Sequence, residues 1–194
     1  MKLSKLLVLA SQSPHRQEIL TLAGLPFIVH PAEGEWAPDD LPPYDRVRAL
    51  ARSKAEQIAS LHPNAYVLGS DTMVVLDEMA LGKPKDPEDA LLMLMSLQGR
   101  SHQVMTGVWI IETDECGNIV KQDGFTDVTT VDFWAFSQEE AAEYVATDEP
   151  KDKAGAYAIQ GMGMRFVKGI CGDYYTVMGL PGGRLLRFLA EFSS

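Results

Sequence analysis

Cysteine is nearly absent, with Cys116 and Cys171 the only two in 194 residues. Two cysteines close at most one disulfide and offer no metal-ligand spacing, so a disulfide-built scaffold and a cysteine-rich zinc module are excluded. The expectation is two reduced thiols in a cytoplasmic protein. Long apolar runs are missing as well: nothing approaches the roughly 18 apolar residues of a membrane span. The stretch MKLSKLLVLASQS has the lysines and apolar run of a signal peptide. Its run is short, however, and passes directly into polar, helix-starting residues, so it reads as a first β-strand. Positive charge is scarce: 17 Lys and Arg stand against 27 Asp and Glu, for a net charge of −10 and an isoelectric point near 4.8. A protein that grips a nucleic-acid backbone along its length needs a broad basic surface. Neither nucleic acid nor membrane is therefore expected as a partner. A small polyanion stays open, provided it meets a locally positive pocket or a divalent cation held by acidic residues. The phosphate loop G-x-x-x-x-G-K-[ST] is absent, as is any G-x-G-x-x-G opening a helix after a strand, so a standard P-loop enzyme and a Rossmann dehydrogenase are unsupported.

What is present is an ordinary globular composition, 46% hydrophobic and 23% charged, without repeat, low-complexity tract or linker. One domain over residues 1–194 is expected. KLLVL (5–9) reads as a buried strand and Pro14 to about Ala23 as a helix, with Ser13 as N-cap and Pro14 at the first helical position. FIVH (27–30) reads as a second strand, followed by the polar loop AEGEWAPDDLPP. Tyr44 to about Leu61 has apolar residues at helical spacing. AYVLG (65–69) is a short strand running into Ser70, Asp71 and Thr72, and MVVL (73–76) starts a hairpin turning at Asp77 and Glu78. Pro87 to Leu97 is a helix with Glu88 and Asp89 in its first turn. Val104–Thr113 and Ile119–Phe136 alternate as long paired strands turned at Glu115 to Asn118. Ser137 and Glu140 form a capping box for a helix through about Ala146, and Arg184–Phe192 is the last helix. Strands alternating with helices, then a long hairpin, predict an α/β fold with a mixed sheet and flanking helices.

Within LASQSPHRQEIL the first helical turn carries His15 and Arg16, although the positive end of a helix dipole favours acids. An anion between dipole and side chain resolves that conflict, which points to phosphate. Asp71 follows an apolar strand, where α/β folds gather their sites. It is suited to holding Mg²⁺ or deprotonating water, or to satisfying turn amides. Lys83 and Lys85 flank Pro84, which stiffens the loop that offers them to phosphate or to solvent. Glu35 lies in the polar loop, Lys54 on a helix surface, and Lys153 and Gln160 border the turn DKAGAYAIQG, where a glutamine reads a base edge or ties a loop. His30, His62 and His102 are scattered and read as structural, Met93 and Met95 as core filler. Trp36 and Trp134 are read as packing in the core or an interface rather than stacking on a base.

Taken in order, LASQSPHRQEIL, ALARSKA, VLGSDTMVVLDEMALGKPKDPEDALLML, GRSHQVMTGV, DEPKDKAGAYAIQGMG and GDYYTVMGLP make the chain resemble the Maf family along nearly its whole length. These are nucleoside-triphosphate pyrophosphatases also called septum-formation proteins. The resemblance implies an α/β fold with a long mixed sheet and a cleft between two lobes, in a cytoplasmic, often dimeric, enzyme. It implies that Ser11 and Arg16 bind phosphates, that Lys54, Lys83 and Lys153 neutralise the triphosphate, and that Glu35 and Asp71 hold Mg²⁺ (or Mn²⁺), with Asp71 as general base. The implied reaction is water attack on the α-phosphorus, releasing pyrophosphate in a house-cleaning role. Thr72, Gln160 and the stretch DKAGAY look like the branch acting on dTTP and UTP. His15 stands where that branch has arginine, and Gly34 where the family commonly has aspartate. Two alternatives accompany this reading: the same reaction on 7-methyl-GTP or a broader set of nucleotides, and a nucleotide-binding regulator of septum formation and cell division.

Overall fold

The apolar run near the N-terminus becomes a central strand, β1 (Leu6–Leu9), because Leu7, Val8 and Leu9 find neighbours on all sides and are wholly buried. The computed structural model describes residues 3–193; Met1, Lys2 and Ser194 lie outside it, so the N-terminal stretch read above is described from its third residue onward. Strand β1 is flanked in parallel by β2 (Phe27–Val29) and β3 (Ala65–Leu76), with Leu7 opposite Phe27 and Leu9 opposite Leu68. Parallel neighbours need crossovers, and helices α1 (Pro14–Leu22) and α2 (Pro43–Ala59) supply them. Strand β4 (Met79–Leu81) folds back antiparallel on β3 through Asp77 and Glu78, both at positive φ (49° and 67°), as a tight hairpin turn requires. Helix α3 (Pro87–Leu97) starts from Asp86, whose carboxylate accepts the Asp89 N–H at 2.8 Å.

The long strands β5 (Ser101–Thr113) and β6 (Ile119–Phe133) are joined by a turn in which Asp114 Oδ1 accepts the Cys116 and Asn118 N–H groups at 2.9 and 2.8 Å. Helix α4 (Gln138–Val145) has the capping box expected of Ser137 and Glu140. Short 3₁₀ turns follow at Glu149–Asp152, Ala154–Ala156 and Met162–Phe166. They lead into β7 (Val167–Cys171), antiparallel to β6, then α5 (Tyr174–Met178) and α6 (Gly182–Phe192). The seven-stranded mixed sheet has the order β2-β1-β3-β5-β6-β7, with β4 on β3, so the expected α/β class holds.

By internal contacts the chain divides into two compact units, one of residues 1–71, 106–127 and 179–194, the other of 72–105 and 128–178. The first has a core of Val8, Ala10, Ala55, Ile58, Ala59, Ala65, Val67 and Ile111. In it α2 comes unusually near the sheet. A Cβ on Gly69 would lie 2.0 Å from the Ala51 carbonyl oxygen, and one on Gly107 would lie 2.4 Å from that of Val47. Glycine is the residue that permits such backbone approach. The second unit packs α3 and α4 around Leu94, Leu97, Val131, Phe133, Tyr144, Tyr157 and Phe166, with Met93 and Met95 filling its margin as anticipated.

Several local readings change. AYVLG and MVVL are one strand of 12 residues, because β3 exchanges its β1 partner for β4 without leaving the extended conformation; Asp71 therefore sits within a strand. Ser13 is at the N-cap position of α1 but makes no capping bond with its side chain; its N–H donates instead to Ser11 Oγ at 3.2 Å. Trp36 and Trp134 are 72% and 53% exposed, so neither is a core residue. Strand β7 and helix α5 lie in the glycine-rich final third, where periodicity carried no signal. Both cysteines are free thiols. Among the described residues no helix is long and apolar enough to cross a membrane.

Candidate active site

The first unit gathers Ser11, Arg16, Glu35, Lys54 and Asp71, drawn from four separated stretches. Ser11 follows the end of β1 and is buried, as is Arg16 in the first turn of α1. The arginine turns inward. Its Nη1 donates to Ser11 Oγ at 2.9 Å and its Nε to the Gly179 carbonyl at 3.0 Å. Ser70 Oγ donates to that same carbonyl at 3.0 Å. Burial and these two bonds, to Ser11 Oγ and the Gly179 carbonyl, hold the guanidinium in place before any ligand arrives.

On α2, Lys54 reaches across to both acids. Its Nζ lies 2.6 Å from Asp71 Oδ1 and also pairs with Glu35 Oε2. The Lys54 and Asp71 side chains are only 15% and 13% exposed, whereas Glu35 is 46% exposed. The loop carrying Glu35 is pinned on both sides to the same helix. Gln57 Nε2 donates to the Gly34 carbonyl at 3.1 Å and the Trp36 N–H donates to Ser53 Oγ at 3.2 Å. Ser53 and Gln57, like Ser70, were not singled out from the sequence. Their signal was position: both flank Lys54 on one helix, but only the fold places the loop above them.

Burial pushes the Asp71 carboxyl above the usual carboxylate range, and the neighbouring Glu35 charge adds to this, against the opposing pull of Lys54 and Arg16. Burial likewise lowers the Arg16 guanidinium, with Asp71 and Glu35 opposing; arginine stays charged all the same. The cluster thus holds two cations and two carboxylates, one of the carboxylates raised by burial above its ordinary range. Among the described residues no group of three or more His, Cys, Asp and Glu side chains is arranged to hold a metal. Two carboxylates converging on one ammonium do mark a place where positive charge is favoured. Magnesium is commonly held by one or two carboxylates with substrate phosphates and water supplying the rest, so this donor set fits that ion.

The other sequence candidates are not part of this cluster. His15 is half-buried beside Arg16 on α1. Thr72, next after Asp71 in β3, belongs to the second unit with Lys83, Lys153 and Gln160. There Lys83 is exposed on the loop after β4, Lys153 is half-buried ahead of the Ala154–Ala156 turn, and Gln160 is exposed on a turn between two 3₁₀ segments. The histidines are less scattered than they read: His30 Nδ1 and His62 Nε2 meet at 2.6 Å. Burial, then its partner's charge, lowers the pKa of His62.

A mixed α/β fold whose acid–base cluster is built from SQSPHR, ARSKA and GSDT defines a recognisable class. A model of the family described as Maf-like protein matches residues 6–192, and the chain belongs to that family. Among its relatives are the dTTP/UTP pyrophosphatases of Bacillus velezensis, 45% identical with 98% of each chain covered, and Bacillus cytotoxicus, 46% identical with 98% of this chain and 97% of the relative covered. That of Symbiobacterium thermophilum is 46% identical over 96% of this chain and 93% of its own. A solved HAM1 protein from Coxiella burnetii superposes with a TM-score of 0.52 at 15% identity, covering 95% of this chain and 98% of that one, which establishes likeness of fold.

Proposed function

We propose that this chain is a nucleoside-triphosphate pyrophosphatase acting on dTTP and UTP, and that residues 1–194 work as one cytoplasmic, house-cleaning domain that pairs as a homodimer, with neither nucleic acid nor membrane as a partner. The observation that carries the reading is the Lys54 ammonium drawn between Glu35 and Asp71 beside a buried, fully oriented Arg16. The names of relatives 43–46% identical over nearly their whole length support it.

In this mechanism Ser11, Arg16 and the N–H groups opening α1 bind phosphate oxygens, as a helix N-terminus does for anions. Lys54, Lys83 and Lys153 offset the remaining triphosphate charge. Asp71 orients a water and takes its proton as the oxygen attacks the α-phosphorus; the bond from that phosphorus to the bridging oxygen breaks, and pyrophosphate leaves with the electron pair. Asp71 acts in its ionised form, as a general base must. Glu35 and Asp71 would hold Mg²⁺, which when bound withdraws charge from the phosphate oxygens. Thr72, Gln160 and His15, the last standing where the family branch has arginine, set the choice of nucleotide.

The test is pyrophosphate release by the purified chain with Mg²⁺ on dTTP, UTP, CTP, ATP, GTP and 7-methyl-GTP. Preferred turnover of dTTP and UTP is expected. The substitution at His15 favours one second reading, a preference for 7-methyl-GTP, and that preference in the assay would replace the pyrimidine assignment. Binding without turnover, with Mn²⁺ tried as well, would refute catalysis in favour of a nucleotide-binding regulator of cell division.

A further inference from the structure

Gln160 sits on an exposed turn, yet the backbone on either side of it is held from below by two side chains. Tyr144, on the last turn of α4, is fully buried with its ring against Phe166, centroids 5.2 Å apart. Its hydroxyl donates to Glu149 Oε1 at 2.9 Å and accepts the Ala158 N–H at 3.1 Å. The Glu149 carboxylate accepts two further amides, Gly163 on Oε1 at 3.1 Å and Met162 on Oε2 at 2.9 Å. Ala158 lies two residues before Gln160 and Met162 two after it, so this one hydroxyl–carboxylate pair anchors both flanks of the turn.

The glycines around Gln160 fit that arrangement. A Cβ on Gly161 would stand 2.4 Å from both Glu149 oxygens, and one on Gly163 would stand 2.8 Å from the Tyr144 hydroxyl. The motif Gln-Gly-Met-Gly is thus the space the two side chains occupy. Burial resists ionisation of Glu149, but the Met162 and Gly163 amides, the Tyr144 hydroxyl and the charge of Lys153 outweigh it and hold the carboxyl below its ordinary range. An exposed turn without a duty can satisfy its amides with water. Here they are spent on a buried tyrosine and a charged acceptor, and charge-assisted bonds are the stronger kind.

We propose that Tyr144 and Glu149 are positioning residues for nucleobase selection, holding the 158–163 turn so that Gln160 meets the base in one geometry. This rests on the reading above that Gln160 contacts the base. Glu149→Gln tests it, because the new NH₂ group faces an amide N–H in place of an acceptor oxygen. Tyr144→Phe tests it independently, keeping the ring that fills the core. The ratio of kcat/KM for dTTP to that for GTP is measured for the chain as it stands, both variants, Gln160→Ala and the double variant Glu149→Gln with Gln160→Ala, alongside thermal melts. Each single variant is expected to shrink the ratio about tenfold, the fold-change that one lost hydrogen bond to the base is worth, mainly through a raised KM for dTTP. The double variant should be no worse than Gln160→Ala, because a residue acting through another adds nothing once that other is gone. A Glu149→Gln or Tyr144→Phe protein that loses melting temperature, or turnover on both nucleotides alike, with its ratio intact would overturn the proposal and leave the base contact standing. Losses that add in the double variant would overturn it too. An unchanged ratio in Gln160→Ala would instead remove the base contact itself, and the proposal with it.

Discussion

Replacing Gly69 with alanine tests whether the close seat of α2 on the sheet is what aims Lys54. The new Cβ would sit 2.0 Å from the Ala51 carbonyl oxygen and 3.0 Å from the Ala55 nitrogen, where real Cβ contacts do not fall below 3.0 Å. The obstacle is helix backbone, which cannot swing aside as a side chain can. Relief requires α2 to move outward by about 1 Å, the shortfall between 2.0 and 3.0 Å. Lys54 lies between Ala51 and Ala55 on that turn, and its 2.6 Å bond to Asp71 would stretch beyond hydrogen-bond range. Overpacking of this kind costs about 1–3 kcal/mol, which for a chain of this size lowers the melting temperature by roughly 2–12 °C. A catalytic group misplaced by ~1 Å loses on the order of 10²-fold in rate. The assay is paired: a thermal melt, and kcat/KM for dTTP by pyrophosphate release. A Gly69→Ala protein that melts and turns over like the parent would refute the argument, since the helix would then have absorbed the methyl group without moving its lysine.

Asp71→Asn should lower kcat on the order of 10²–10⁴-fold, the usual contribution of a general base, while nucleotide binding persists; a kcat within a factor of about two of the parent would remove Asp71 from the base role. Because burial raises the Asp71 pKa in the metal-free protein, titration of the metal-free chain should show this carboxyl taking up its proton above the ordinary carboxylate value near 3.9. A titration flat down to the usual carboxylate range would contradict it. Chelation of divalent cations should abolish pyrophosphate release and Mg²⁺ or Mn²⁺ should restore it, whereas turnover surviving exhaustive EDTA treatment would exclude the metal assignment to Glu35 and Asp71. His102 is held neutral by burial, against the pull of Asp132, with its pKa lowered to about 4. Below pH 6.5 the unfolded chain binds a proton there that the folded chain refuses, so stability falls as pH drops from 6.5 towards 4. The total loss is about 3 kcal/mol. Denaturant midpoints should therefore decline less between pH 7 and 4.5 in His102→Leu than in the parent, and parallel declines would refute the buried, neutral histidine.

Local chemistry was enough to read much of this molecule. The burial of Leu7, Val8 and Leu9, the capping box at Ser137 and Glu140, the Asp77–Glu78 turn and the helices starting at Pro14 and Pro87 depend on residues within a turn or two of each other. Their propensities point one way regardless of what packs above them. Motif order singled out Ser11, Arg16, Glu35, Lys54 and Asp71, which the fold brings together. What local chemistry left open depends on partners distant in the chain. The continuity of β3 through Asp71 follows from trading β1 for β4 as a neighbour, and β7 and α5 form in a glycine-rich stretch through contacts their own residues do not announce. Lys54 looked as suited to solvent as to a site, and what decides is a carboxylate 17 residues away and a loop pinned down by Ser53 and Gln57. Arg16 was read as a phosphate ligand from its place in a helix, while its actual aim is set by a carbonyl 163 residues further on. A side chain's chemistry is written at its own position, but its direction and its pKa are set by whatever the fold brings within a few ångströms, and that belongs to the tertiary structure alone.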